Sequence, residues 1–271
     1  MTDIYSAFTG NIPENYDRYL GPIFFHRCAE DLAARIAAGQ TQQVLEIAAG
    51  TGIATRYLRN RLPNETHITA SDLNNDMLNH AQQKFLPSEN ISFQVANAMA
   101  LPFEEGQFDV VTCQFGIMFC ADKPQAFHEA HRVLCRGGRL LFSIWDALEH
   151  NPLPRVINEM LAELFDGDAP AFLQLPFGYH DQAQIRHDLE KSGFVDVQFT
   201  TLEGECVFSR PKNAALGMVT GSPLGLEIEQ RGDMAIDDVV NKVMGRLKTT
   251  FGERDCRAPM RWTVIAANRA G

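Results

Sequence analysis

From residue 43 onward the chain repeats one alternation: a short apolar run, a turn, then a stretch with apolar positions three and four apart. Residues 43–48 (QVLEIA), 67–71 (HITAS), 91–95 (ISFQV), 108–114 (FDVVTCQ) and 139–145 (RLLFSIW) are the apolar runs, and they predict buried strands. Residues 51–62, 74–86 and 121–134 carry the helical spacing. Pro63 and Pro87 stop the first two, and the third ends towards Gly137-Gly138. Ahead of the first strand, residues 13–38 are helical in pattern and Gly39 is their stop, while residues 1–12 show no pattern. Strands alternating with helices predict an α/β fold: a Rossmann-like, mainly parallel sheet with helices on both faces and ligands outside the C-terminal strand ends.

After Trp145 the rhythm breaks. Residues 147–179 contain one helical stretch, 156–165, and the Pro/Phe-rich segment APAFLQLPFGY. The rhythm returns with a helix over 181–192, stopped by Gly193, and a strand over 194–202. A second irregular segment, 204–257, contains a helical piece near 237–250, and RWTVIAAN near the C-terminus predicts a final strand. The organisation expected is therefore an N-terminal helical segment (1–40), a core (41–146), a first insertion (147–179), a core helix and strand (180–203), a second insertion (204–257) and a last strand (258–271). Long insertions with no sheet role are often functional, so both are expected to form a lid over the ligand edge.

Charge narrows the function classes. The chain of 271 residues has a formal net charge of −10 and no basic stripe of the kind that neutralises phosphates, which argues against a nucleic-acid partner. The small cluster Arg132, Arg136 and Arg139 reads as a solvated helix end. Six cysteines form no C-x-x-C pair, and the N-terminus has no basic region followed by an apolar run. Reduced thiols and a cytoplasmic location are the expectation. No apolar stretch approaches the length of a membrane span.

Candidate chemistry starts at the first strand-to-helix turn, Glu46-Ile47-Ala48-Ala49-Gly50-Thr51-Gly52. Glycines there let a ligand approach the backbone, and the next helix begins with free N–H groups. Glu46 places a carboxylate near the end of a buried strand, where a cationic ligand group, a helix N-terminus or water must satisfy it. Asp72 ends the second strand, where it can accept from ribose hydroxyls or cap the next helix. These features fit a nucleoside ligand. A nicotinamide dinucleotide wants G-x-G-x-x-G, but Thr55 stands in the third glycine's place and Glu46 suits a pyrophosphate poorly. S-adenosylmethionine, with an ammonium and a sulfonium, suits the carboxylates better.

The order of motifs carries a resemblance. VLEIAAGTG, SDLNNDML, VANAMALPFEEGQFDVVTCQFGIMF and FHEAHRVLCRGGRLLFSIW, with LEKSGFVDVQF further on, resemble the successive motifs of class I S-adenosylmethionine-dependent methyltransferases. The branch they resemble is that of the ubiquinone and menaquinone biosynthesis methyltransferases, most strongly over residues 42–146. The resemblance implies a seven-stranded sheet with the last strand antiparallel. It also implies that Glu46, Ala48, Gly50 and Gly52 surround the methionine part of the cofactor and that Asp72 holds its ribose. Leu73 and Met77 would lie against adenine, with Asn97, Ala98 and Met99 bordering it. Gln114 and Phe115 would approach the methionine backbone, and Tyr16 would close over the site. The family usually has Asp at positions 46 and 97 and Gly or Cys near 48 and 49, so this chain departs from it at Glu46, Ala48, Ala49 and Asn97.

Methyl transfer from a sulfonium is an in-line displacement that needs positioning more than acid–base help, and a base only if the acceptor must lose a proton. His180, after the aromatic stretch, is the candidate base; capping the following helix is its other reading. His128 and His131 form H-E-x-H, short of the zinc motif H-E-x-x-H, so no metal is expected. Trp145, Phe172, Phe177, Tyr179 and Met218 would line an acceptor pocket suited to a small apolar molecule, or else form lid core. The competing functions are a catalytically silent protein that binds S-adenosylmethionine or S-adenosylhomocysteine and, more distantly, an NAD-dependent oxidoreductase.

Overall fold

The computed structural model describes residues 8–271. Seven strands form one sheet: β1 (Gln43–Ile47), β2 (His67–Asp72), β3 (Ile91–Val95), β4 (Phe108–Gln114), β5 (Leu134–Trp145), β6 (Phe194–Phe208) and β7 (Cys256–Arg269), in the order β3-β2-β1-β4-β5-β7-β6. The pairs among β1 to β5 are parallel, and β7 runs antiparallel between β5 and β6. This is the Rossmann-like sheet that the alternation predicts, with the antiparallel last strand that the resemblance implies. The strand order reverses at β1 and β4, so their C-terminal ends open a crevice at the switch point.

The helices are α1 (Ile12–Asn15), a π-helix (Tyr16–Phe25), α2 (His26–Ala37), α3 (Ile53–Arg61), α4 (Asn75–Gln82), α5 (Lys123–Val133), α6 (Pro152–Leu164), α7 (Gln182–Lys191), α8 (Pro211–Thr220), α9 (Leu224–Arg231) and α10 (Ile236–Phe251). The inner parallel strands β1, β2 and β4 are almost wholly buried, as strands covered on both faces must be, whereas β3, at the sheet edge, is partly exposed. Val44, Leu45, Ile68, Val111 and Phe142 form the centre of the core. Asn74, Asp122 and Asp181 cap α4, α5 and α7 by accepting from backbone N–H groups of the first turn.

Three departures from the sequence reading have physical causes. First, the continuous α-helix expected over residues 13–38 is wound as a π-helix in its middle. Pro22 has no N–H to offer, and the turn widens so that the His26 N–H donates to the Gly21 carbonyl, five residues back. Second, β6 and β7 continue past the sheet as a two-stranded arm, pairing to Phe208↔Cys256. Gly204 does not stop the strand; a side chain there would meet the Trp262 ring at 3.0 Å. The irregular segment thus shrinks to 209–255. Third, that segment holds α8 and α9 as well as α10. Small residues let α8 press against the π-helix: a Cβ on Gly217 would lie 2.9 Å from Leu20 and Tyr19.

Candidate active site

A cavity of about 410 Å³ opens at the C-terminal ends of β1, β2 and β4, under the π-helix and between the two insertions. Its acidic end is built by two turns. The Gly50 N–H donates to Asp72 Oδ2 at 2.8 Å, and the Asn74 N–H donates to Asp72 Oδ1 at 2.8 Å. The glycine turn thus presents the carboxylate at the cavity wall. Burial pushes the Asp72 pKa up, and these amide donors oppose the shift. Leu73, more than half exposed, stands beside it at the rim, with Met77, Asn97, Ala98 and Met99 around the same end. Asn97 Oδ1 accepts from the Met99 N–H at 2.9 Å, which fixes that turn.

Ala48, Gly50, Gln114 and Phe115 line the next part of the wall. Ala48 and Phe115 both hold left-handed backbone, each with φ near 53°, at the ends of adjacent strands. Non-glycine residues in that region store strain, which clusters at binding sites. Gly116, which the sequence reading passed over, makes the pair possible: a Cβ there would lie 2.4 Å from Ala48 Cβ and 2.7 Å from Cys113 Sγ. The Gln114 Nε2 donates to the Phe25 carbonyl at 3.4 Å, while its Oε1 is buried with no partner. An unpaired acceptor in a cavity wall is costly unless a ligand donor meets it.

Two of the residues predicted to hold the cofactor lie elsewhere. The Glu46 side chain does not line the cavity. It is buried between β1 and α3 and accepts from Thr55 Oγ1 at 2.6 Å, so the residue in the third glycine's place is what satisfies it. Burial, with Asp72 nearby, pushes its pKa up to about 8. Gly52 is also outside the lining. Its φ of 77° starts α3, and a side chain there would meet Ala81 and Phe85 at 3.1 Å. It serves close packing of α4 on the turn.

Tyr16 forms the roof. It stacks on Phe25 with ring centroids 4.8 Å apart and an interplanar angle of 12°. On an α-helix, residues nine apart point about 180° from each other. At the wider π-helical pitch of about 4.4 residues per turn they fall within about 20°. The π winding is therefore what brings Tyr16, Leu20 and Phe25 to one face over the cavity. Burial and the Asp72 carboxylate raise the Tyr16 phenol well above its ordinary range.

The far end of the cavity is aromatic. Trp145 stacks on Phe115 at 3.9 Å, and Phe24, Phe172, Phe177 and Met218 complete the wall. Phe8, from the stretch read as patternless, packs edge-on against Tyr16, Phe119 and Phe172. Four of the five acceptor-pocket residues expected from sequence line this end. Tyr179 does not, because its hydroxyl donates to Asp188 at 2.7 Å. His180 is also off the cavity: it is exposed, and its Nδ1 bonds the Phe177 carbonyl at 2.8 Å, so the candidate base instead secures the turn before α7. Within H-E-x-H, Glu129 binds Arg132 and the Leu101 N–H, and His131 packs edge-on against Phe194. Among the described residues no group of three acidic, histidine or cysteine side chains is placed to hold a metal.

Comparison with known proteins bears on the family and the fold. Residues 45–142 match the family model described as a methyltransferase domain. The ubiquinone/menaquinone biosynthesis C-methyltransferase UbiE of Proteus mirabilis is 32% identical over 184 residues, 62% of this chain and 72% of that protein. Its counterpart in Edwardsiella ictaluri is 35% identical over 185 residues, with the same coverage. Among solved structures, phosphoethanolamine N-methyltransferase 2 of Haemonchus contortus, in complex with S-adenosyl-L-methionine, shares the fold. Its TM-score is 0.62 at 18% identity, covering 100% of this chain and 61% of that one.

Sheet, glycine turn and matched family define a class I S-adenosylmethionine-dependent methyltransferase. Within that class, the chain belongs to the family of the ubiquinone/menaquinone biosynthesis C-methyltransferases. The nicotinamide reading falls with this assignment.

Proposed function

We propose that the cavity holds S-adenosylmethionine at its acidic end and a small, largely apolar methyl acceptor at its aromatic end. Asp72 accepts from the ribose hydroxyls, and Leu73, Met77, Asn97, Ala98 and Met99 enclose the adenine. Ala48, Gly50, Gln114 and Phe115 face the methionine part, where the unpaired Gln114 Oε1 meets the cofactor ammonium. When bound, the cofactor supplies a methyl group activated by its sulfonium. The chain's own part is to orient the acceptor behind that methyl and to exclude water, with the roof and both insertions serving as a lid.

One observation carries the acceptor class. Among the described lining residues, Asp72 and Tyr16 lie at one end, whereas the wall around Trp145, Phe172, Phe177 and Met218 carries no charged side chain. A charged amine or phosphate there would lose its hydration without gaining a partner. The matched relatives are named for C-methylation in quinone biosynthesis, which places apolar phenols and quinols first in any panel.

The test is formation of S-adenosylhomocysteine by the purified protein, with apolar phenols and quinols set against phosphoethanolamine and glycine. Turnover with the apolar group is expected, and Phe172→Ala should raise the acceptor KM about tenfold while leaving cofactor affinity unchanged. Preference for the charged amines would refute the acceptor class.

A further inference from the structure

The residue after Tyr16 faces away from the cavity and meets three other elements. Thr51 Oγ1, in the glycine turn, donates to Asp17 Oδ1 at 2.9 Å. Lys84 Nζ, just beyond α4, donates to the same oxygen at 2.7 Å. His80 Nε2 lies 3.5 Å from Asp17 Oδ2. Burial alone would raise the Asp17 pKa; the bonds from Lys84 and Thr51, with His80 nearby, outweigh it and hold the carboxyl below its ordinary value.

This carboxylate joins the parts that surround the cofactor end. The π-helix carries Tyr16, the glycine turn carries Gly50 and so orients Asp72, and α4 carries Met77. The side chains of Asp17, Lys84 and His80 are each more than a quarter exposed, so water screens the ion pairs. Exposed pairs add little to global stability. Their lever here is local, since they fasten a roof over a cavity that a ligand must enter and leave.

We infer that Asp17 is a positioning residue whose ties to Thr51 and Lys84 clasp the π-helix shut, holding Tyr16 over bound cofactor and setting the rate of its release. The inference rests on the assignment of the cofactor to the acidic end. It requires that breaking the clasp open the roof without unfolding the protein.

Stopped-flow tryptophan fluorescence, with Trp145 in the cavity wall as reporter, measures release of S-adenosylhomocysteine from the full chain. Asp17→Asn and Lys84→Met should each speed release about threefold to tenfold. The unliganded melting midpoint should stay within about 2 °C of the wild type. Added salt should accelerate release from the wild type towards the variants and barely change the variants themselves. In a Tyr16→Ala background Asp17→Asn should add nothing, since the clasp acts through that ring. Unchanged release in both variants, or acceleration in step with a lost melting midpoint, would overturn the clasp. Wild-type protein that binds no S-adenosylhomocysteine would overturn the cofactor assignment, a failure readily told apart from the others.

Discussion

Ala48 and Gly116 are a matched pair of residues. Ala48 takes a left-handed conformation that glycine adopts at less cost, and its Cβ occupies the space a side chain at 116 would need. Gly116→Ala should therefore destabilise the protein by about 1–3 kcal/mol and weaken cofactor binding, because the collision displaces the turn that positions Phe115. Ala48→Gly removes both the strain and the opposing methyl. The double variant should recover the part of the loss due to Ala48 but not that due to Cys113 Sγ, and a double-mutant cycle by thermal melting and calorimetry measures the coupling. Additive losses would show that the two positions act independently. The motif around Ala48 was visible in the sequence. Gly116 was not, because the need for glycine there arises from a neighbour 68 positions earlier across the strand ends.

Among the elements, those with strong local signals were legible. β3 and β4 have the bounds that their apolar runs predict, and α5 and α7 lie within the predicted stretches. The π-helix was not legible, since its apolar positions satisfy an α-helical reading well enough and only Pro22 hints at a wider turn. Nor was α8, whose buried Ala214, Ala215 and Gly217 give a weak apolar pattern. The π-helix has a testable consequence. Pro22→Ala supplies the missing amide and allows the segment to tighten to α-helical pitch, which swings Tyr16 away from Phe25. Cofactor affinity should fall several-fold while overall stability holds, read by calorimetry beside far-ultraviolet circular dichroism. Unaltered affinity would mean that packing against α8, not Pro22, sets the winding.

For the whole molecule, the buried Glu46 links folding to pH. Its folded pKa of about 8 lies above the ordinary carboxylate value, so between those values the folded state binds more protons than the unfolded one. Its contribution is present at acid pH and is lost as pH rises towards and through 8. Glu46→Gln keeps an acceptor for Thr55 without the charge. The unliganded variant should therefore melt at a higher temperature than the wild type at pH 8, with the gap closing towards pH 5. A gap independent of pH would show that Glu46 is not the titrating group. No helix among the described residues is long and apolar enough to cross a membrane, and all six cysteines are free.

The β6–β7 arm has an evolutionary corollary. It holds residues 209–255 at the tip of a two-stranded stalk, where α8 packs on the π-helix and reaches the same cavity as Asp72 and Gln114. Met218 comes from that tip, while Phe172 and Phe177 come from the first insertion. Substitutions at these three positions can thus reshape the aromatic wall while the strand ends that carry Asp72 and Gln114 stay unchanged. Selectivity and methyl-donor use can diverge on separate clocks.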